Sequence, residues 1–390
     1  MANLDEHRFN DDLLANAGDC KAADEFNPTI AHVLYHQELI DYFKKYNDRA
    51  DVAKKTSRTW GKWAIALGGI AIALAAIEII VEIAAASSWA LFIGAVAAIC
   101  GVSSVAIGAF GVLFGSKKRE WLHNRFMGER IRQFHFQSFI ARLPEIVASL
   151  EDTTDNAATA KAEFESGRHK LFLRFKNEFE SNVDGKFTSV IGPYGEADWW
   201  LHKSERTFSR SDHQRELEPL FIAYRQLRIK HQLGYANYKL QSDHKIFSAM
   251  PVRQAEILEN ISKAGVAWLL LIHVSVLVIV LSTFGILVLG VPLLSALGEA
   301  PSLISIVFSV AIIVIAVVAL SARVFQQGLQ PEREIERYQQ YRSAVQSILE
   351  QFDEADTPSQ KIRVMRQMER VAFDEMRNFL RTHDRSSFAM

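Results

Sequence analysis

The sequence predicts a mainly α-helical integral membrane protein, with four transmembrane helices in two hairpins and a largely helical cytoplasmic domain. Three observations carry this prediction. Residues 63–116 contain only two charged side chains, Glu78 and Glu82, and residues 264–322 only one, Glu299. Nearly all of the 44 basic and 45 acidic residues therefore lie elsewhere, in segments as polar as any soluble protein. Those segments carry helix signals: long stretches without Pro or Gly, and apolar residues three and four apart. The pattern excludes a purely soluble globule. It also excludes a disordered chain, which would be poor in apolar residues. A net charge of −1 argues against a protein that coats nucleic acid, and no binding of duplex DNA is expected.

Residues 1–62 form an N-terminal cytoplasmic segment and helix. The opening stretch is polar and acidic, with neither the basic nor the apolar region of a secretory signal. Asn27-Pro28 is a helix cap followed by Pro at the first helical position. From there one long helix is expected to run into the first span. Cys20 and Cys100 are the only cysteines, and Cys100 lies in an apolar block. They give no disulfide framework, which fits a reducing compartment.

Residues 63–116 are the first transmembrane hairpin, with spans from Trp63 to about Val81 and from Trp89 to about Phe114. Residues 264–322 are the second, with spans from Ala264 to about Leu289 and from about Ser302 to Ala322. Each is near or above the roughly 20 residues needed to cross a ~30 Å hydrocarbon core. Trp63, Trp89 and Trp268 sit near span ends, where interfacial aromatics belong. Lys54, Lys55, Arg58 and Lys62 precede the first span, and Lys117, Lys118, Arg119 and Arg125 follow the second. Lys263 precedes the third, and Arg323, Arg333 and Arg337 follow the fourth. The short connections at about 82–88 and 290–301 carry no Lys or Arg. The positive-inside rule then puts both turns outside and both termini in the cytoplasm.

Residues 117–263 read as a cytoplasmic helical domain. Its parts are a helix ending near Pro144, a polar linker or helix start at 151–163, and a Phe-rich amphipathic segment at 164–181. Residues 183–195 carry Gly185, Gly192, Pro193 and Gly195 and read as a loop, with room for a short strand. A charged helix follows from about 212 to 248. Residues 323–390 read as a C-terminal helical hairpin. Its first apolar stripe is Ile335, Tyr338, Tyr341, Val345, Ile348 and Phe352. Thr357-Pro358-Ser359-Gln360 is a capping box, and Met365, Met368 and Met376 lie on the next apolar face. That methionine stripe reads as a packing seam. Trp121, Arg125 and Glu129 after the first hairpin are echoed by Tyr338, Arg342 and Gln346 after the second. The echo suggests two copies of one helix–hairpin–helix module.

The W-x3-R-x3-E pattern of Trp121, Arg125 and Glu129 behind a two-span hairpin resembles the SLATT family of bacterial membrane effectors. So do the helix YRQLRIKHQLGYANYKL (224–240) ahead of a hairpin and the terminal MERVAFDEMRNFL (368–380). The likeness covers 28–150 and 200–385, in tandem. The chain departs from the family in having two hairpins and a long middle region. The resemblance implies an effector of antiphage defence in the bacterial inner membrane, with a partner nucleotidyltransferase that makes a cyclic or linear oligonucleotide signal. Such an effector is thought to oligomerise, open a pore or ion channel, and arrest the infected cell.

The residues themselves suggest no enzyme and no cofactor. GVLFGSKKR (111–119) lacks phosphate-loop spacing, and no G-x-S-x-G, H-E-x-x-H or C-x-x-C occurs. Charges inside a span are costly and usually face an interior or a water path. Glu78 and Glu82, one turn apart, are candidate pore-lining carboxylates, as is His273 in the third span. Solvation of both Glu at the outer headgroups, and a neutral His bonded between helices, are the plainer readings. For the signal, cations would bind phosphates and aromatics would stack on bases. Arg130, Arg132, Arg225 and Arg228, with Trp199, Trp200 and Tyr235, are the candidates. The plainer reading makes them paired surface charges and core anchors. An anchored scaffold that recruits a cytoplasmic partner without a pore stands as the alternative function.

Overall fold

The computed structural model describes residues 10–15, 21–83, 87–109, 116–150, 157–202, 214–241, 250–283 and 301–385. Among them there is no strand. Fourteen α-helices follow in order: α1 (Lys21–Phe26), α2 (Ala31–Leu34), α3 (Gln37–Ile83), α4 (Ser87–Ala106), α5 (Lys117–Ala141), α6 (Leu143–Leu150), α7 (Ala157–Glu180), α8 (Val183–Ile191), α9 (Gln214–Tyr224), α10 (His231–Lys239), α11 (Pro251–Thr283), α12 (Pro301–Leu329), α13 (Pro331–Asp353) and α14 (Pro358–Arg385). The chain divides into two compact units. One comprises residues 1–53, 119–242 and 332–385, and the other mainly residues 54–118 and 243–331.

The first unit is built around α5, in which every residue from Arg130 to Ala141 is buried. A helix enclosed on all sides would normally be apolar throughout. This one is not, so its polar groups must be satisfied internally. Gln137 donates to the Trp199 carbonyl and accepts from the Leu201 amide, both at 2.8 Å. Arg142, just beyond the helix, donates to the Phe164 carbonyl at 2.9 Å. The apolar residues of α5 meet the Phe-rich α7: Phe134 stacks on Phe175 at 4.7 Å, and Phe126 approaches Phe179 at 6.1 Å. Phe164, Phe172, Phe175 and Phe179 are all buried, at i, i+8, i+11 and i+15, one helical face. On another side Trp121 lies edge-on to Phe379 of α14 at 5.6 Å. The methionine stripe is core: Met365, Met368 and Met376 are almost fully buried. The capping box forms, with the Thr357 amide donating to Gln360 Oε1 at 3.0 Å and the Gln360 amide to Thr357 Oγ1 at 3.3 Å.

Two expectations need correction. The helix predicted to run unbroken from Asn27 is interrupted at Tyr35–His36. Asn27 does cap, accepting from the Thr29 amide at 3.0 Å. The buried Arg168 then donates to the carbonyls of His32 and Val33, both at 2.9 Å, taking the acceptors that a continuing helix would use. The predicted loop at 183–195 contains α8. Asn182 caps it by accepting from the Gly185 amide at 3.1 Å, and its side chain fills the space beside that glycine. Gly185 thus marks a cap and not a break. The echoed positions have different surroundings. Arg125 pairs with Glu129 at 2.6 Å inside the unit, whereas Arg342 and Gln346 are exposed.

The second unit holds four helices long and apolar enough to cross a membrane. Only 6–17% of each apolar stretch is buried within the protein. Trp89, Leu91, Val102 and Leu270 each expose about two thirds or more of their surface. An aqueous surface this apolar would be aggregation-prone, whereas a hydrocarbon solvent favours it. The partly described α3 and α4 run antiparallel, since Gly101 adjoins Ala71 while Ser104 Oγ donates to the Ala64 carbonyl at 2.7 Å. Helices α11 and α12 are also antiparallel: Arg323 Nε donates to Ser262 Oγ at 3.3 Å, and Gly265 adjoins Ala319. The predicted outer turns fall largely on residues 84–86 and 284–300, outside the described residues.

Candidate functional site

A cavity of about 350 Å³ opens in the first unit, between α5, α7, α8 and the 3-10 turn Gly195–Trp199. Arg130 lines it and is almost fully buried. Its Nη1 donates to Gln133 Oε1 at 2.8 Å and its Nη2 to the Asp198 carbonyl at 2.7 Å. Both acceptors are neutral, and among the described residues no carboxylate pairs with the guanidinium and its Nε has no acceptor. Burial pushes Arg130 down to about 9, with the more distant Asp198 charge opposing the shift. It remains a cation at neutral pH. A buried charge of this kind is costly unless something compensates it.

The walls supply flat, polarisable surface. Phe134 stacks on Phe175 at 4.7 Å and on His202 at 4.8 Å. Trp200 also lines the cavity, and its indole N–H is buried without an acceptor. Arg174 and Lys186 add positive charge, and Glu145, Glu178 and Asp198 add negative charge. The Asp198 carboxylate is engaged by Ser189 Oγ at 2.6 Å. The arrangement suits a small anion that carries a planar ring.

Of the sequence candidates, the cavity brings together Arg130 and Trp200. Trp199 packs beside Trp200 at 5.2 Å but does not line it. Arg132 is buried elsewhere, pairing with Asp12 at 2.8 Å and Glu129 at 2.7 Å. Burial disfavours the charge of Glu129, but Arg125 and Arg132 outweigh it and hold its carboxyl down at about 2. Arg225 pairs with Asp353 at 2.5 Å, half-exposed. Arg228 is committed to Glu369 and Tyr235 bonds Tyr338 at 3.1 Å. Arg225 and Arg228 lie in a π-helical turn, Arg225–Lys230, between α9 and α10. Arg174, Lys186 and His202 went unselected in the sequence because they stand in three separate segments. The signal was the mixture of Phe with Arg and Lys across 164–186.

In the second unit the Glu78 carboxylate occupies the space beside Gly94 of α4 that a side chain there would need. Glu82 is exposed, as is His273. His273 Nδ1–H donates to the Leu269 carbonyl one turn back on its own helix, at 2.7 Å. Among the described residues no three His, Cys, Asp or Glu side chains converge as a metal site.

Comparisons with protein-family models, curated proteins and solved structures found no match.

Proposed function

We propose that this chain is a non-enzymatic effector of the bacterial cytoplasmic membrane. In this reading the first unit lies in the cytoplasm and binds a nucleotide or oligonucleotide made by a partner nucleotidyltransferase. The four apolar helices form two membrane hairpins that assemble with other copies into an ion-conducting pore. Opening depolarises the membrane and arrests growth, as in the antiphage effectors that the sequence resembles. The observation that carries the proposal is Arg130, a buried cation without a carboxylate partner among the described residues, beside an aromatic-lined cavity. A phosphate supplies the missing negative charge, and a base stacks where Phe134, His202 and Trp200 already make a π-rich wall. The basic residues flanking the apolar helices support the cytoplasmic placement.

The test uses full-length protein in lipid nanodiscs, titrated with ATP, a cyclic dinucleotide and a linear trinucleotide by calorimetry. Binding that weakens at least tenfold in Arg130→Gln, with the thermal transition retained, is expected for one of these classes. Planar-bilayer recording with the bound nucleotide then reads the pore. Binding without current would favour the anchored scaffold, and no binding of any class would remove the nucleotide reading.

A further inference from the structure

The second unit contains a larger space that the nucleotide and pore readings do not use. It is a groove of about 780 Å³ between α3, α11 and α12. Of the described residues eighteen line it, and among these Arg58 and Lys62 are the only charged ones. They stand one turn apart on one helical face, so their charges repel. Arg58 is half-buried and its Nε has no acceptor. The nearby acids on α11 are already engaged: Glu256 pairs with Arg253 at 2.7 Å and Glu259 with Lys263 at 2.6 Å. Two neighbouring cations therefore sit at one end of an apolar slot, and no anion among the described residues pairs with them.

The length of the slot identifies its occupant. Along α3 the lining runs from Arg58 to Ala73, fifteen residues or about 22 Å. That is about half of the ~40–45 Å that a bilayer spans with its headgroups, the depth of one leaflet from phosphate to chain ends. Along α12 it ends near Val314, on the side away from the cations. A free phosphate would fill only the charged end, and a neutral lipid would leave the cations unbalanced. We propose that the groove is a binding site for one anionic phospholipid, with its phosphate between Arg58 and Lys62 and its acyl chains against Ile65, Gly69, Val317 and Phe325. Basic pockets between membrane helices take anionic headgroups for this reason.

The experiment compares full-length protein in nanodiscs of pure phosphatidylcholine with nanodiscs containing phosphatidylglycerol. Delipidation and mass spectrometry then count the lipids retained. Phosphatidylglycerol is expected to be retained at near one per chain and to raise the unfolding temperature, while phosphatidylcholine does neither. Inorganic phosphate or glycerol phosphate should not displace it, which separates a lipid from a free anion. Arg58→Gln/Lys62→Gln is expected to lose at least tenfold of the retention. Ala73→Phe, which fills the deep end and leaves the charges intact, should lose it too. Equal retention of both lipids by the unmodified protein would overturn the proposal, whatever the variants do. Full retention in Ala73→Phe would also overturn the groove and leave only a surface charge effect.

Discussion

The guanidinium of Arg228 and the carboxylate of Glu369 meet through two hydrogen bonds of 2.9 Å each, with both side chains sealed from solvent. The Tyr224 hydroxyl adds a third bond to Glu369, at 2.8 Å. Burial works against the charge of Arg228, but Glu369 outweighs it and pushes the guanidinium above its ordinary range. The pair joins the helix that carries the π-helical turn to α14, across 141 residues of sequence. Glu369→Leu leaves the arginine buried and alone, and is expected to cost about 3–5 kcal/mol. Arg228→Met with Glu369→Leu should recover most of that loss, because an apolar pair of similar volume needs no desolvation. Chemical denaturation of the two variants in detergent measures the difference.

Acid should begin to weaken the first unit from about pH 6.5, above the ordinary carboxylate range. Burial pushes His36 down to about 3, with Arg168 and His169 adding to the shift, and holds His135 well below the ordinary histidine range. These folded-state values lie below the unfolded value near 6.5, so the unfolded chain binds more protons between them. Stability is therefore complete above pH 6.5 and falls as the pH drops towards 3. A loss on the order of a few kcal/mol is expected over that window. Unfolding scans at stepped pH check it, and a flat profile between pH 6.5 and 4 would contradict the burial of these rings.

How much of this was legible in the sequence depended on distance along the chain. The apolar spans, the capping box at Thr357 and the methionine seam are local patterns, and a local pattern reads directly. Gly185 was misleading because a glycine that breaks a helix and one that makes room for a cap look alike until Asn182 is seen against it. The arginines were harder still. Arg130 and Arg228 are both buried on helices, yet one is met by a distant carboxylate and the other only by neutral acceptors. Nothing within a few residues of either distinguishes them.

Helices α11 and α12 approach closely at Gly265, where an added Cβ would stand 2.7 Å from the Cβ of Ala319. Gly265→Leu must push the two helices apart and is expected to cost about 1–3 kcal/mol. Gly265→Leu combined with Ala319→Gly should regain part of it. A double-mutant cycle of thermal stability in nanodiscs measures the coupling.

For the proposed pore, Glu78→Gln is expected to reduce preference for cations over anions in reconstituted protein. Reversal potentials under a salt gradient provide the readout. Unchanged conductance and selectivity would end the role assigned to Glu78. Gly94→Ala serves as a companion, because its methyl group displaces the same carboxylate while keeping the charge.

That contact between Glu78 and Gly94 also bears on how the protein is made. A carboxylate more than three-quarters of the way through the apolar span from Trp63 to Val81 is a costly group to release into lipid by itself. Its shelter is supplied by a segment synthesised later, after the turn. The nascent helix should thus wait at the insertion machinery until its partner emerges, and the two should enter the bilayer as a pair. Membrane insertion would then follow the order of packing, and not only the order of synthesis.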